Sequence, residues 1–106
     1  MAKYLWQVSY TAAGVKGVLK EGGTSRRAVV EQLVKEAGGN LEAFYFAFGE
    51  DDAYVIAELP NDATASAISL TVAATGAAHL KTVKLLLPEE IDDAAQISVA
   101  YRPPGA

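Results

Sequence analysis

Cysteine is absent from the 106-residue chain, and histidine, tryptophan and methionine occur once each. Without cysteine there are no disulfides, no thiolate nucleophile and no Cys-ligated zinc. Basic clusters are also missing. Nine Lys and Arg stand against 13 Asp and Glu, for a net charge of -4, and the only adjacent basic pair is Arg26-Arg27. A phosphate backbone needs a broad positive surface, so nucleic acid is not an expected partner. No apolar run approaches the ~20 residues of a membrane span, so no membrane partner is expected either. The N-terminal MAKYLWQVSY carries one Lys and then alternates, unlike a signal peptide, which gives a cytoplasmic location as the expectation.

What is present is a chain 51% hydrophobic and 21% charged, with glycine and proline scattered. This composition and length suit one compact domain over 1–106. KYLWQVSY (3–10) has the aromatic and branched residues of a strand, and Thr11 is placed to cap a short helix that Gly22-Gly23 ends. RRAVVEQLVKEA follows as a helix capped by Thr24 or Ser25, with Val29, Val30, Leu33 and Val34 on one face and Arg26 pointing away, and Gly38-Gly39-Asn40 stops it. LEAFYFAFG (41–49) and AYVIAELP (53–60) read as an antiparallel hairpin joined by a short turn. Asn61 or Asp62 caps an Ala-rich helix, AHLKTVKLLL (78–87) is a fourth strand, PEEIDDAAQ is a short acidic helix, and 95–106 forms an extended tail. The order β-α-ββ-α-β, with an extra short helix after each outer strand, predicts an α+β ferredoxin-like sandwich: a four-stranded antiparallel sheet with helices on one face.

Such a sheet should alternate apolar and polar residues, and these strands do not. Tyr4, Trp6, Val8 and Tyr10 oppose Leu5, Gln7 and Ser9, while Leu41, Ala43 and Tyr45 oppose Phe44, Phe46 and Phe48. Both faces need cover, and the helices supply one. The simplest cover for the other is the same sheet of a second copy at about 10 Å, so a homo-oligomer built from dimers is expected.

Three stretches carry a family likeness: YTAAGVKGVLKEGGTSRR, GGNLEAFYFAFGEDDAYVIAELPND and KTVKLLLPEEIDDA. Through nearly its whole length the chain resembles the small bacterial GYD-domain proteins, related in fold to dimeric α/β-barrel proteins. The motif that names the family, Gly, one residue, Tyr, Asp, falls on Gly49, Glu50, Asp51 and Asp52, so Asp51 stands at the Tyr position. The resemblance implies a ferredoxin-like fold and leaves the activity open.

Glu50, Asp51 and Asp52 are consecutive, and in a turn their carboxylates splay apart, whereas acid–base catalysis needs two carboxyls facing one substrate. The simpler reading is a hairpin tip in which the acids stay solvated and Gly49 makes the bend. His79, the lone histidine, is the one side chain with an ordinary pKa near neutrality, but alone it builds no usual zinc site, and no metal or cofactor is expected. Trp6, Tyr45 and Tyr54, with Tyr4 and Tyr10, lie on strands expected to be neighbours, and together with His79 they are the candidate ligand-binding set. Arg26 and Arg27 at a helix start are a candidate anion site.

Two functional readings follow. The first is a non-enzymatic oligomeric module that binds a small apolar or weakly acidic ligand, or serves assembly. The alternative is a cofactor-free enzyme of the dimeric α/β-barrel kind, an oxygenase, isomerase or decarboxylase on an aromatic substrate, with His79, Asp52 and Tyr54 moving protons.

Overall fold

The computed structural model describes residues 1–106. The chain runs through β1 (Ala2–Tyr10), α1 (Ala12–Glu21), α2 (Gly23–Glu36), β2 (Asn40–Phe46), β3 (Ala53–Leu59), α3 (Asp62–Ala74), β4 (Ala78–Leu85) and α4 (Pro88–Ala95). The strands form one antiparallel sheet in the order β2-β3-β1-β4, the ferredoxin-like arrangement that the element order predicts.

Local chemistry sets most of the boundaries. Thr11 accepts a hydrogen bond from the Gly14 amide, and Asn61 accepts one from the Thr64 amide, so each supplies an orphan donor of a helix start with its partner. Gly22, at φ 88°, ends α1 and begins α2 as a single shared residue. Only glycine adopts that left-handed φ without strain, which is why two helices can meet there with no loop. The second helix therefore starts before Thr24 and Ser25, and its cap is this glycine rather than a side chain.

The core lies between the sheet and the helices. Tyr4, Trp6 and Val8 of β1 and Val55, Ala57 and Leu59 of β3 face Val34 of α2 and Ile68 of α3, all of them buried. Each large apolar side chain withdrawn here contributes about 1.5–3 kcal/mol.

Four expectations are corrected. The strands of the hairpin stop at Phe46 and start again at Ala53, so a six-residue connection, 47–52, replaces a short turn. Gly49 does not adopt a positive φ, so the bend does not depend on it. The alternation in β2 breaks at Glu42: Leu41 pairs with Ala57 on the helix face, whereas Ala43 pairs with Ile56 on the open face. One unpaired residue, a β-bulge, inverts the side-chain parity. Finally, Asp51 is not solvated but 3% exposed.

Candidate functional site

A cleft of about 370 Å³ opens over the helix-covered face of the sheet. Its floor is Trp6, Val8, Phe44, Val55 and Leu80, all four strands contributing through their inward positions. Val30 and Leu33 of α2 form one wall, and Ile68 and Val72 of α3 the other. Two glycines of α1, Gly14 and Gly17, border the cleft. A Cβ added at Gly17 meets nothing within 4 Å, whereas at Gly14 it falls 2.0 Å from the Ala77 carbonyl oxygen. Gly14 thus lets α1 sit down on the start of β4, and Gly17 leaves the space above the floor open. Volume and apolar lining both fall in the range of small-molecule sites.

Polar groups are few and gather at the rim. Arg26 lines the cleft, with Nη1 3.6 Å from Glu21 Oε2. It therefore turns inward, against the expectation that it points away from the apolar face of α2. Burial pushes the Tyr10 phenol above its ordinary pKa, and the neighbouring Arg26 guanidinium partly offsets this. Trp6 Nε1 and Arg26 Nε are buried without a hydrogen-bond partner. The remaining side-chain polarity of the lining comes from Thr75.

The aromatic set divides between the two faces of the sheet. Trp6 and Tyr10 line the cleft. Tyr4, also on the helix side, donates a hydrogen bond to Asp62, which lies 3.1 Å from Lys84 Nζ. Tyr45 and Tyr54 pair with each other on the opposite face, in register with Gln7 of β1. His79 is also there, exposed and opposite Ser9. Odd and even positions of a strand cannot share a pocket, so Trp6 lies across the sheet from Tyr45, Tyr54 and His79.

The three consecutive acids likewise serve different ends. Glu50 has a 91% exposed side chain. Asp51 turns onto the open face of the sheet, 3.1 Å from Ser9 Oγ, 3.4 Å from Lys81 Nζ and 3.5 Å from Gln7 Nε2. Asp52 accepts a hydrogen bond from the Tyr10 amide at 2.8 Å, and its own amide donates to the Val8 carbonyl at 2.8 Å. Asp51 and Asp52 therefore pin the 47–52 connection to β1. Their placement is a tertiary effect that turn composition alone does not encode.

Arg26 and Arg27 diverge. Arg27 lies beside a second groove of about 340 Å³ running along residues 41–45 of β2, with Glu31 one turn further along the same wall of α2. Arg26 lines the cleft and Arg27 the second groove, so the two side chains border different grooves. No three His, Cys, Asp or Glu side chains gather as a metal cluster would require. His79, Tyr54 and Asp52 do not line the cleft.

The GYD domain family profile matches residues 4–95. No curated protein and no solved structure matches the chain. No helix is long and apolar enough to cross a membrane.

Proposed function

This chain belongs to the GYD-domain family, and we propose that it is a non-enzymatic, self-associating module that holds a small apolar or weakly acidic molecule in the cleft between its helices and its sheet. The observation that carries the reading is the cleft itself: about 370 Å³, apolar over its floor and walls, with the Arg26–Glu21 pair and the Tyr10 phenol at the rim. An apolar body would bury against Val8, Val30, Leu33 and Val72, and a single polar group would face the rim. The groups invoked for a cofactor-free enzyme, His79, Tyr54 and Asp52, lie away from this volume, so that alternative would have to use the Tyr10 phenol or Glu21 in their place.

Self-association is supported by the other face of the sheet. Leu5, Ile56 and Val83 line up across β3, β1 and β4 there, with Tyr54 and Tyr45 beside them, and no helix covers them. A second copy stacked on this face would bury them. Sedimentation that finds only an 11.1 kDa species at micromolar concentration overturns this half of the proposal.

Native mass spectrometry of the purified protein for a retained small molecule tests the cleft first. Titration with octanoate and with naphthalene, followed by Trp6 fluorescence, tests it directly, because Trp6 is the only tryptophan and forms part of the floor. Saturable quenching is expected, and it should weaken at least tenfold in Gly17→Leu or Val72→Phe, both of which occupy the volume. No retained molecule, and no response to either probe up to millimolar concentration, would overturn the binding reading.

A further inference from the structure

The residues after β4 form an arm that makes nothing of its own chain. Every residue of 86–106 is exposed, including Leu86, Leu87, Ile91, Ile97, Val99 and Tyr101. The hydrogen bonds of this stretch outside the helix ladder are local, such as Leu87 N to Glu90 Oε1 and Ile97 N to the Ala94 carbonyl. The arm also sets the shape of the molecule. The longest axis is 55 Å against 34 and 23 Å for the others, and the radius of gyration is 16.9 Å. A compact chain of this length has about 13 Å.

We propose that the arm docks on a second copy of this chain, residues 97–102 adding as a strand to the free edge of the partner copy's β2. Four observations support this. Ile97, Val99 and Tyr101 alternate with Ser98, Ala100 and Arg102, the period of a strand with one apolar face, and Pro103-Pro104 ends the segment where amide donors run out. β2 is an edge strand, so half of its main-chain groups lack a strand partner, and the groove along residues 41–45 exposes that edge. The charges complement each other. Arg27 beside the groove makes no ion pair within the chain, and α4 carries Glu89, Glu90, Asp92 and Asp93 without one basic residue; Glu31, one turn from Arg27 on the same wall of the groove, is an acid that Arg102 can pair with. The arm leaves from β4, at the sheet edge opposite β2, and projects away from its own body rather than across the three strand spacings, about 14 Å, to its own β2. Exchanged reciprocally, the 21 residues of 86–106 and the seven of the receiving β2 fall within the roughly 20–30 residues a side of a stable interface.

This exchange does not depend on the cleft holding a ligand, and it is separable from stacking of the open sheet faces. The absence of cysteine makes the test clean, because an introduced thiol has no competitor. Val99→Cys chains are mixed with Ala43→Cys or Tyr45→Cys chains under mild oxidation, and the double variants are made in one chain for comparison. The expected result is a disulfide-linked heterodimer of twice 11.1 kDa in the mixture, at least tenfold faster than either homodimer. In parallel, a full chain and one ending after Ala95 are compared by amide exchange, and the edge amides of 41–45 should exchange at least tenfold faster in the shorter chain. An intramolecular disulfide in the double variants would mean that the arm folds back on its own sheet, and would overturn the exchange. So would the absence of any disulfide between the Val99→Cys chain and either β2 variant, together with unchanged β2 protection. If sedimentation still finds a dimer in that case, arm docking alone has failed and sheet stacking stands; if the full chain is monomeric, both fall.

Discussion

The two glycines of α1 should respond to alanine with opposite signs. Gly14 is buried, and its missing side chain admits the Ala77 carbonyl: a Cβ there would lie 2.0 Å from the oxygen and 3.1 Å from Tyr10 Cδ1. Real contacts of that kind sit above about 3 Å, so α1 would have to lift away from the α3–β4 corner by about 1 Å. That movement stretches two hydrogen bonds holding the helix start, the Thr11 amide to the Ala77 carbonyl at 3.0 Å and Thr11 Oγ1 to the Gly76 carbonyl at 2.8 Å. Loss of two neutral hydrogen bonds costs about 1–2 kcal/mol in sum. Overpacking adds about 1–3 kcal/mol. Alanine regains about 1 kcal/mol over glycine in a helix, leaving Gly14→Ala destabilised by about 1–4 kcal/mol. Gly17 lies three residues along the same helix, and its Cβ would meet nothing within 4 Å, so only the helix gain applies and Gly17→Ala is stabilised by about 1 kcal/mol. Urea unfolding followed by Trp6 emission, at one fixed protein concentration, reads both. With a slope near 2 kcal/mol/M, Gly17→Ala should raise the midpoint by about 0.5 M and Gly14→Ala should lower it by about 0.5–2 M. Shifts of the same sign in the two variants would refute the close approach on which the cleft's geometry rests.

Asn61→Ala should cost about 1 kcal/mol by freeing the Thr64 amide that its side chain caps at 2.9 Å, and a loss below about 0.3 kcal/mol in the same unfolding assay would contradict the cap. Asp51→Ala removes the partner of Ser9, Gln7 and Lys81 and should cost about 1.5–3 kcal/mol, while the exposed neighbour Glu50→Ala should change stability by under about 0.5 kcal/mol. The pH dependence divides around Tyr4. Its hydrogen bond to Asp62 holds the phenol up at about 12, so the stability it contributes is complete below the ordinary pKa of 10.0 and is lost as pH rises from there through about 12. The same bond, followed by Lys84, holds the Asp62 carboxyl below its ordinary 3.8, so that contribution is present above 3.8 and is lost as pH falls through the lowered value. Tyr4→Phe should remove the phenol that ionises last in an absorbance titration and move acid unfolding to higher pH; an unchanged acid limb would sink the coupling.

Much of the frame is legible in the sequence because it rests on local chemistry. Thr11 and Asn61 are caps by side-chain type, and the strand and helix order follows from hydrophobic period. The site is legible only in pieces. Trp6 and Arg26 both stand out in the sequence and both reach the cleft, yet for unrelated reasons: Trp6 by strand parity, Arg26 because it lies four and seven residues before Val30 and Leu33 on the inward face of α2. Strand adjacency groups Tyr45, Tyr54 and His79 with Trp6, and the odd–even rule places them across the sheet from it. That rule can be applied to any one strand from its sequence; the register that applies it to four strands at once cannot. Asp51 escapes for a different reason. Three acids in a row look solvated, and nothing local announces that Ser9, more than 40 residues away, receives one of them. The cleft has one usable signal, the pair Gly14 and Gly17, which helix propensity alone reads only as weakness.

The bulge at Glu42 works on the sheet as a frameshift works on a message. Upstream of it Leu41 obeys one in–out rule, and downstream Ala43 and Tyr45 obey the other, while the extra residue itself is tied down by Lys3 Nζ at 2.7 Å. Deleting Glu42 would remove the bulge alone: Leu41 and Ala43 already pair with the consecutive residues Ala57 and Ile56, so every side chain would keep its face and the strand would lose the Glu42–Lys3 ion pair. Relatives should therefore tolerate loss of the bulge residue itself but place other insertions and deletions in the 47–52 connection, because a single step between Ala43 and Phe46 re-addresses every side chain that follows.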